Sequence, residues 1–250
     1  MSSWVKQRKL TYGGGLVIVL IVLIAIPAWK IFYKVPNCFD GIQNGKEQNI
    51  DCGGSCVKLC QSEFLPPVVN WTRLEELAPG LYNVAAYIKN PNISGEAKSV
   101  PYKMQLYDSK GILITELNGM VTLPPRRNTI AFQSAVNVGA RIPAKVLFEF
   151  TNSPQWLKTE DGLNSLIIVD KQYKEEGNSS LTVNFKNNGV LPLGRLSVYV
   201  VLYDRSGNAI GFSKTIIDGI EASGTAVAPF TWPIDRNGEV VSIEVLPVAE

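Results

Sequence analysis

The chain has 250 residues, a formal net charge of +2 and no histidine. A near-neutral balance with no basic stripe, only the pair Arg126-Arg127, argues against a nucleic-acid partner. The lack of histidine removes the commonest general base and the commonest zinc ligand, which weakens any hydrolase or metalloprotease reading.

The first element is an apolar run. Leu10 to Trp29 is twenty residues without a charge, and Leu16 to Ile26 is continuous Leu, Ile, Val and Ala. Twenty helical residues rise about 30 Å, the thickness of a bilayer's hydrocarbon core. Lys6, Arg8 and Lys9 precede the run. Trp29, Phe32 and Tyr33 follow it, as an aromatic belt would. The pattern predicts a short cytoplasmic tail over 1–9 and a transmembrane helix over 10–33. A cleaved signal peptide is the competing reading, with Pro27-Ala28 as the cleavage site. Against it, Ile26 is a poor small residue, and the flank from Trp29 to Lys34 suits an interface. Counting Lys and Arg on the two sides of the span leaves its orientation tied.

The cysteines break the tie. Cys38, Cys52, Cys56 and Cys60 lie within 23 residues, and nothing after Cys60 is cysteine. An even cluster beside a membrane anchor predicts a local disulfide framework in an oxidising compartment. A four-thiolate zinc site is the alternative, but the spacing lacks paired C-x2-C knuckles. A redox C-x3-C would need a βαβ setting that the flanks do not offer. The module, residues 37–62, has too few apolar residues for a core and needs staples. Four cysteines allow three connectivities. Cys38–Cys56 with Cys52–Cys60 is favoured, because Cys56–Cys60 would close a very short ring. Closing a loop of about 18 residues removes roughly 3 kcal/mol of unfolded-state entropy.

Asp40, Asn44, Glu47 and Asp51 punctuate the same glycine-rich loop. Oxygen ligands on a flexible loop are what calcium prefers, although the order is not that of an EF-hand. The plainer reading is that Asp and Asn cap turns, as at Asn44-Gly45. The segment C-x-D-G-I-x-N-G-x-E-x-x-x-D-C-G-G-x-C resembles a short cysteine-rich motif of extracellular bacterial and archaeal proteins. Gln48 and Asn49 depart from it, where the family often has Thr and Asp. The resemblance implies a secreted, disulfide-bonded module that calcium could stabilise, and no enzymatic activity.

Beyond the stiff Pro66-Pro67, short apolar alternations recur between turn signals about every ten residues, the pattern of an all-β fold. Strands are predicted before Leu81, over Leu81 to Ile88, and through Tyr102, Met104 and Leu106. Further strands are predicted over Ile112 to Leu117, Val121 to Leu123, Ile130 to Val136 and Val146 to Phe150. That makes about seven. The pattern then repeats. Leu106-Tyr107-Asp108-x-x-Gly111 returns 96 residues later as Leu202-Tyr203-Asp204-x-x-Gly207. Ile88-Lys89-Asn90 corresponds to Phe185-Lys186-Asn187, and Ile130-Ala-Phe132 roughly to Val227-Ala-Pro-Phe230. The spacing predicts two tandem Ig-like β-sandwiches, over 68–152 and 165–250, joined by a linker from Asn152 to Ser165.

In each repeat the Asp starts a turn and the Gly closes it where a Cβ would clash, so the motif reads first as a hairpin device. A catalytic Asp has no basic or nucleophilic company. Tyr107 and Tyr203 are expected either to lend a hydroxyl to a neighbouring loop or to form an exposed patch. The repeats resemble the FxLYD-type domain, an Ig-like sandwich of extracytoplasmic prokaryotic proteins. The family's Phe falls on Met104 and Val200, both departures that remain apolar. This resemblance implies fold and compartment and no shared catalytic residue. Three sequons, at Asn70, Asn92 and Asn178, are discounted as chance in an Asn-rich chain.

The expectation is an all-β, single-pass protein of the cell membrane. Its N-terminus is cytoplasmic and its remaining domains are extracytoplasmic. Its partners are the membrane and an unknown protein or envelope polymer. Its role is non-enzymatic binding or scaffolding. The alternatives are a secreted, adhesin-like binding protein and an enzyme subunit.

Overall fold

The computed structural model describes residues 3–32, 35–159, 161–175, 177–233, 236 and 238–250. Helix α1 runs Ser3–Phe32 and continues through Pro27. Its stretch Lys6–Lys30 is 25 residues long and contains an 18-residue window with a mean hydropathy of 2.4, none of it buried against the rest of the chain. It is therefore long and apolar enough to cross a membrane. The helix begins earlier than the span read from the sequence, because Lys6, Gln7, Arg8 and Lys9 are good helix formers with no breaker among them. Tyr33, the last residue of the predicted span, lies outside the described residues.

After the module, six strands build the first sandwich: β1 Val68–Ala78, β2 Leu81–Lys89, β3 Gly95–Asp108, β4 Leu113–Leu123, β5 Asn128–Asn137 and β6 Pro143–Phe150. They form two antiparallel sheets, ordered β1-β2-β5 and β4-β3-β6. The short β7 Leu157–Lys158 adds to the start of β3. Six more strands follow: β8 Leu166–Lys174, β9 Ser180–Asn187, β10 Leu196–Tyr203, β11 Ala209–Ile217, β12 Thr225–Thr231 and β13 Ser242–Ala249. Their sheets are ordered β12-β9-β8 and β11-β10-β13. Strand for strand, the second half is connected as the first.

Among the described residues each sandwich has six strands where about seven were predicted. The extra one came from splitting Ile112 to Leu117 from Val121 to Leu123. Instead β4 runs straight through, with Gly119 opposite Tyr102. A Cβ at Gly119 would sit 2.5 Å from the Tyr102 ring, so glycine serves a close approach here rather than a turn.

Alternation decides which side chains fill the cores. Val84, Ala86 and Ile88 of β2 meet Met104 and Leu106 of β3 in the first core. Val183 and Phe185 of β9 meet Val198, Val200 and Leu202 of β10 in the second. The intervening residues do not face water. Ala85, Tyr87, Ile130, Val201, Phe212 and Leu246 form a third core between the sheets β1-β2-β5 and β11-β10-β13. The two sandwiches thus pack face to face, as four sheets enclosing three apolar layers. Strands β2 and β10 are covered on both sides, which is why they read as near-continuous apolar runs.

The predicted linker is not loose. Trp156 is buried in the first core and Leu163 in the second. Arg127 Nε donates to Asp161 Oδ2 at 2.6 Å. Two apolar anchors hidden in a polar run escaped a reading based on composition.

Candidate functional site

The cysteine module folds around two disulfides, Cys38–Cys56 and Cys52–Cys60, and there is no free cysteine among the described residues. This is the favoured pairing. It removes the zinc alternative, since an oxidised sulfur is not a thiolate ligand. Glu47 lies near the sulfurs of Cys38 and Cys56, but those two atoms are bonded to each other.

The four oxygen-bearing residues do come together. Asp51 Oδ1 accepts from the backbone N–H of Asp40 and Gly41, at 2.9 and 3.1 Å. Asp51 Oδ2 accepts from Gly41 at 2.9 Å. Asp40 Oδ1 accepts from Ile42 N at 3.0 Å, and its Oδ2 from Asn44 Nδ2 at 2.8 Å. Glu47 Oε2 accepts from Asn44 N at 3.2 Å. Asn44 Oδ1 is buried without a partner. Most of the carboxylate oxygens are thus already neutralised by N–H donors, as capped turns require. Asp40 Oδ1, Asp40 Oδ2 and Asp51 Oδ2 each keep a second lone pair that a cation could use, but the hydrogen bonds alone account for these residues as internal turn acceptors. The expected outcome is that a calcium chelator leaves the module's thermal unfolding unchanged. A rise in Tm of several degrees on adding calcium would restore the ion.

The module is fastened to the first sandwich. Leu59 N donates to Trp156 O at 3.1 Å and Lys158 N to Val57 O at 2.7 Å. The rings of Phe64 and Trp156 stack at 5.2 Å. Leu65 exchanges two hydrogen bonds with the Asn92 side chain, both 2.9 Å. Asn92 is buried by this contact.

The Asp turns match in both halves. Asp108 Oδ1 accepts from Lys110 N and Ile112 N, at 2.9 and 2.8 Å. Asp204 Oδ1 accepts from Ser206 N and Asn208 N, both at 2.8 Å. Gly111 and Gly207 each have φ +76°, where a side chain is strained. The backbone N–H of Asn208 is the main influence holding the Asp204 carboxyl below its ordinary range. These four residues close the β3–β4 and β10–β11 hairpins.

A second matched pair has a larger structural load. Asn90 Nδ2 donates to the carbonyls of Gly95, Leu123 and Pro124 at 2.8, 3.3 and 2.8 Å. Asn187 Nδ2 donates to Leu191, Ile220 and Glu221 at 2.8, 3.4 and 3.2 Å. In both, Oδ1 accepts from the N–H two residues on, Asn92 or Gly189. Both side chains are buried. The sequence aligned these asparagines but gave no role to them.

The seam between the sandwiches was not foreseen at all. Glu75 of β1 is 4% exposed and Arg236, after β12, is 6% exposed. Arg236 Nη2 donates to Glu75 Oε1. Glu75 Oε2 accepts from Asn83 Nδ2 at 3.0 Å and Phe212 N at 3.2 Å. Asn83 Oδ1 accepts from Ala135 N at 3.1 Å, where Ala135 has φ +51° in a bulge of β5. Burial pushes the Glu75 carboxyl above its ordinary range in spite of Asn83 and Arg236. Further along, Tyr87 and Tyr203 donate to the two oxygens of Glu244 at 2.7 and 2.8 Å. Trp71 stacks on Tyr87 at 5.2 Å, and Phe132 meets Phe212 edge-on at 6.3 Å. Tyr203 therefore serves the seam rather than an exposed patch, whereas Tyr107 donates to Gln105 at 3.0 Å.

No family model matches this sequence, and no curated protein does. Among solved structures, the yeast delta-COP-I mu-homology domain complexed with a Dsl1 WxWxV peptide is similar at 11% identity and a TM-score of 0.25, over 70% of this chain and 76% of that one. Red sea bream transglutaminase is similar at 10% identity and a TM-score of 0.22, over 72% of this chain and 29% of that one. A putative beta-galactosidase from Bacteroides fragilis is similar at 13% identity and 0.20, over 69% of this chain and 33% of that one. At such scores these likenesses carry no argument about this chain.

Proposed function

We propose that this chain is a non-enzymatic, single-pass envelope protein that scaffolds or binds another envelope component, protein or polymer, outside the membrane. Its N-terminus is cytoplasmic. The module and both sandwiches are extracytoplasmic. The observation that carries the reading is where the chemistry-bearing groups are spent. The buried Glu75 and Arg236, the half-buried Glu244 and the aromatic residues of the seam pair with one another. They fasten two sandwiches into one body instead of facing a substrate.

The clefts support the same reading. One of about 530 Å³ lies between module and first sandwich and has no carboxylate in its lining. Another, of about 510 Å³, opens at the seam beside Asn83, Gln133, Lys214 and Trp232, also without one. Neither has the paired acids that general acid–base work needs. A third, of about 560 Å³, does include Asp204 and Glu239 beside Arg205, but both Asp204 oxygens already accept bonds within their turn. Disulfides suit a compartment outside the cytoplasm. The matched turns at Asp108 and Asp204, and the matched staples at Asn90 and Asn187, support reading 68–152 and 165–250 as duplicated domains of the FxLYD type.

Protease added to intact spheroplasts of the host is expected to degrade everything beyond Lys34. Full protection would overturn the topology. Recovery of the domains from the medium, with α1 removed, would favour the secreted reading instead.

A further inference from the structure

The chain leaves α1 at Phe32 and is locked into the module at Cys38. Six residues reach at most about 20 Å. The module therefore stays within that distance of the helix end. It cannot swing free of the sandwiches either, because Leu59, Phe64 and Leu65 fasten it to Trp156 and Asn92. One corner of a stiff body is thus held close to whatever plane the helix crosses.

That corner presents apolar side chains beside two exposed lysines, Lys58 and Lys158. Phe39 is 81% exposed and Val57 is 60% exposed. They flank the two ends of one disulfide, Cys38–Cys56, whose Cα atoms are 5.7 Å apart. Leu157, also exposed, follows in the segment that Val57 O binds through Lys158 N. The corner's acids Asp40 and Asp51 accept from backbone N–H groups within the loop. Single exposed apolar residues are common and mean little, as at Ile142 in the β5–β6 connection. Here three gather around one crosslink, at the point where the tether arrives.

We propose that this corner rests on the bilayer that holds α1, with Phe39 and Val57 in the boundary between headgroups and acyl chains. Lys58 and Lys158 beside these side chains face lipid phosphate, which a zwitterionic phospholipid also carries, so such a surface suffices. It fixes how the four-sheet body stands on the membrane, since Ile142 lies toward the opposite end of β3 from the module. Gly95 pairs with Lys158 at one end of that strand and Asp108 with Pro143 at the other. Fourteen residues of strand separate the two ends by about 45 Å. The inference rests on the anchored reading above.

The test uses the full chain in phosphatidylcholine nanodiscs that contain a clickable phosphatidylcholine. Benzoylphenylalanine replaces, one at a time, Phe39, Val57, Leu20 in α1 and Ile142. All four positions are exposed. After irradiation, Leu20, Phe39 and Val57 positions are expected to take up lipid label at least roughly fivefold above the Ile142 position, as burial at the interface requires. Label at position 20, with 39 and 57 no better than 142, would overturn the docking and leave the anchor standing. No label at position 20 would overturn the anchor and the docking with it. Crosslinking of 39 and 57 to protein instead of lipid would also overturn the docking.

Discussion

Replacing Glu75 by alanine is expected to destabilise the folded body by about 3–5 kcal/mol, read from urea unfolding followed by tryptophan fluorescence. The mutation leaves Arg236 buried, 6% exposed, without a counter-charge. It also removes the acceptor for Asn83 Nδ2 and Phe212 N. Replacing both Glu75 and Arg236 by leucine is expected to recover part of the loss, because a buried ion pair scarcely repays its own desolvation, while Asn83 Nδ2 and Phe212 N still lack their acceptor. If single and double variants lose equally, the pair does not fasten the seam. The pH dependence has a definite sign. Burial raises the Glu75 carboxyl above the ordinary value of 4.5. The folded state then holds that proton more tightly than the unfolded chain. The group's contribution to stability is fully present below the unfolded value and is lost as pH rises through the folded one. Glu75→Gln, which cannot ionise, should remove this dependence.

The second large effect is at the asparagine staples. Asn90→Ala and Asn187→Ala each strip donors from three carbonyls and open a buried gap. A loss of about 2–4 kcal/mol is expected for each, since buried acceptors left unmade cost about 1–3 kcal/mol apiece and partial hydration relieves some of it. Aspartate should not rescue either position, because it keeps the acceptor and lacks the N–H donors. The two losses should be similar, because each removes the same three donated bonds and one accepted backbone bond. A neutral result at one site would mean that the two loops are held differently, whatever their matched bonds suggest.

Much of this was legible before the structure, for identifiable reasons. Alternation at Val84, Ala86 and Ile88 gives a strand, and twenty uncharged residues give a helix. Asp108 and Gly111 carry their turn within five residues, so local chemistry writes it into the sequence. The disulfide pairing was reachable because each of the two other connectivities closes a very short ring, Cys56–Cys60 or Cys52–Cys56. The seam was not legible. Glu75 and Arg236 are 161 positions apart, and a contact at that distance leaves no periodic trace. Glu75 beside Glu76 reads as an ordinary solvated pair. One signal was available. Leu81–Lys89 and Leu196–Tyr203 are too apolar for strands with one wet face, and that excess pointed to a cover on the second face. The split of β4 has a different cause: Gly119 interrupts the apolar alternation between Leu117 and Val121, yet it is there for its close contact with Tyr102.

The proposed topology depends on the module being oxidised. Its most direct test is thiol counting on the full chain in native membranes. The membranes are dissolved in denaturant with an alkylating reagent, and the chain is weighed. The expected result is no alkylated cysteine before reduction and four after it, at Cys38, Cys52, Cys56 and Cys60. Four reactive thiols before reduction, with one zinc ion per chain, would contradict both the disulfides and the outward topology.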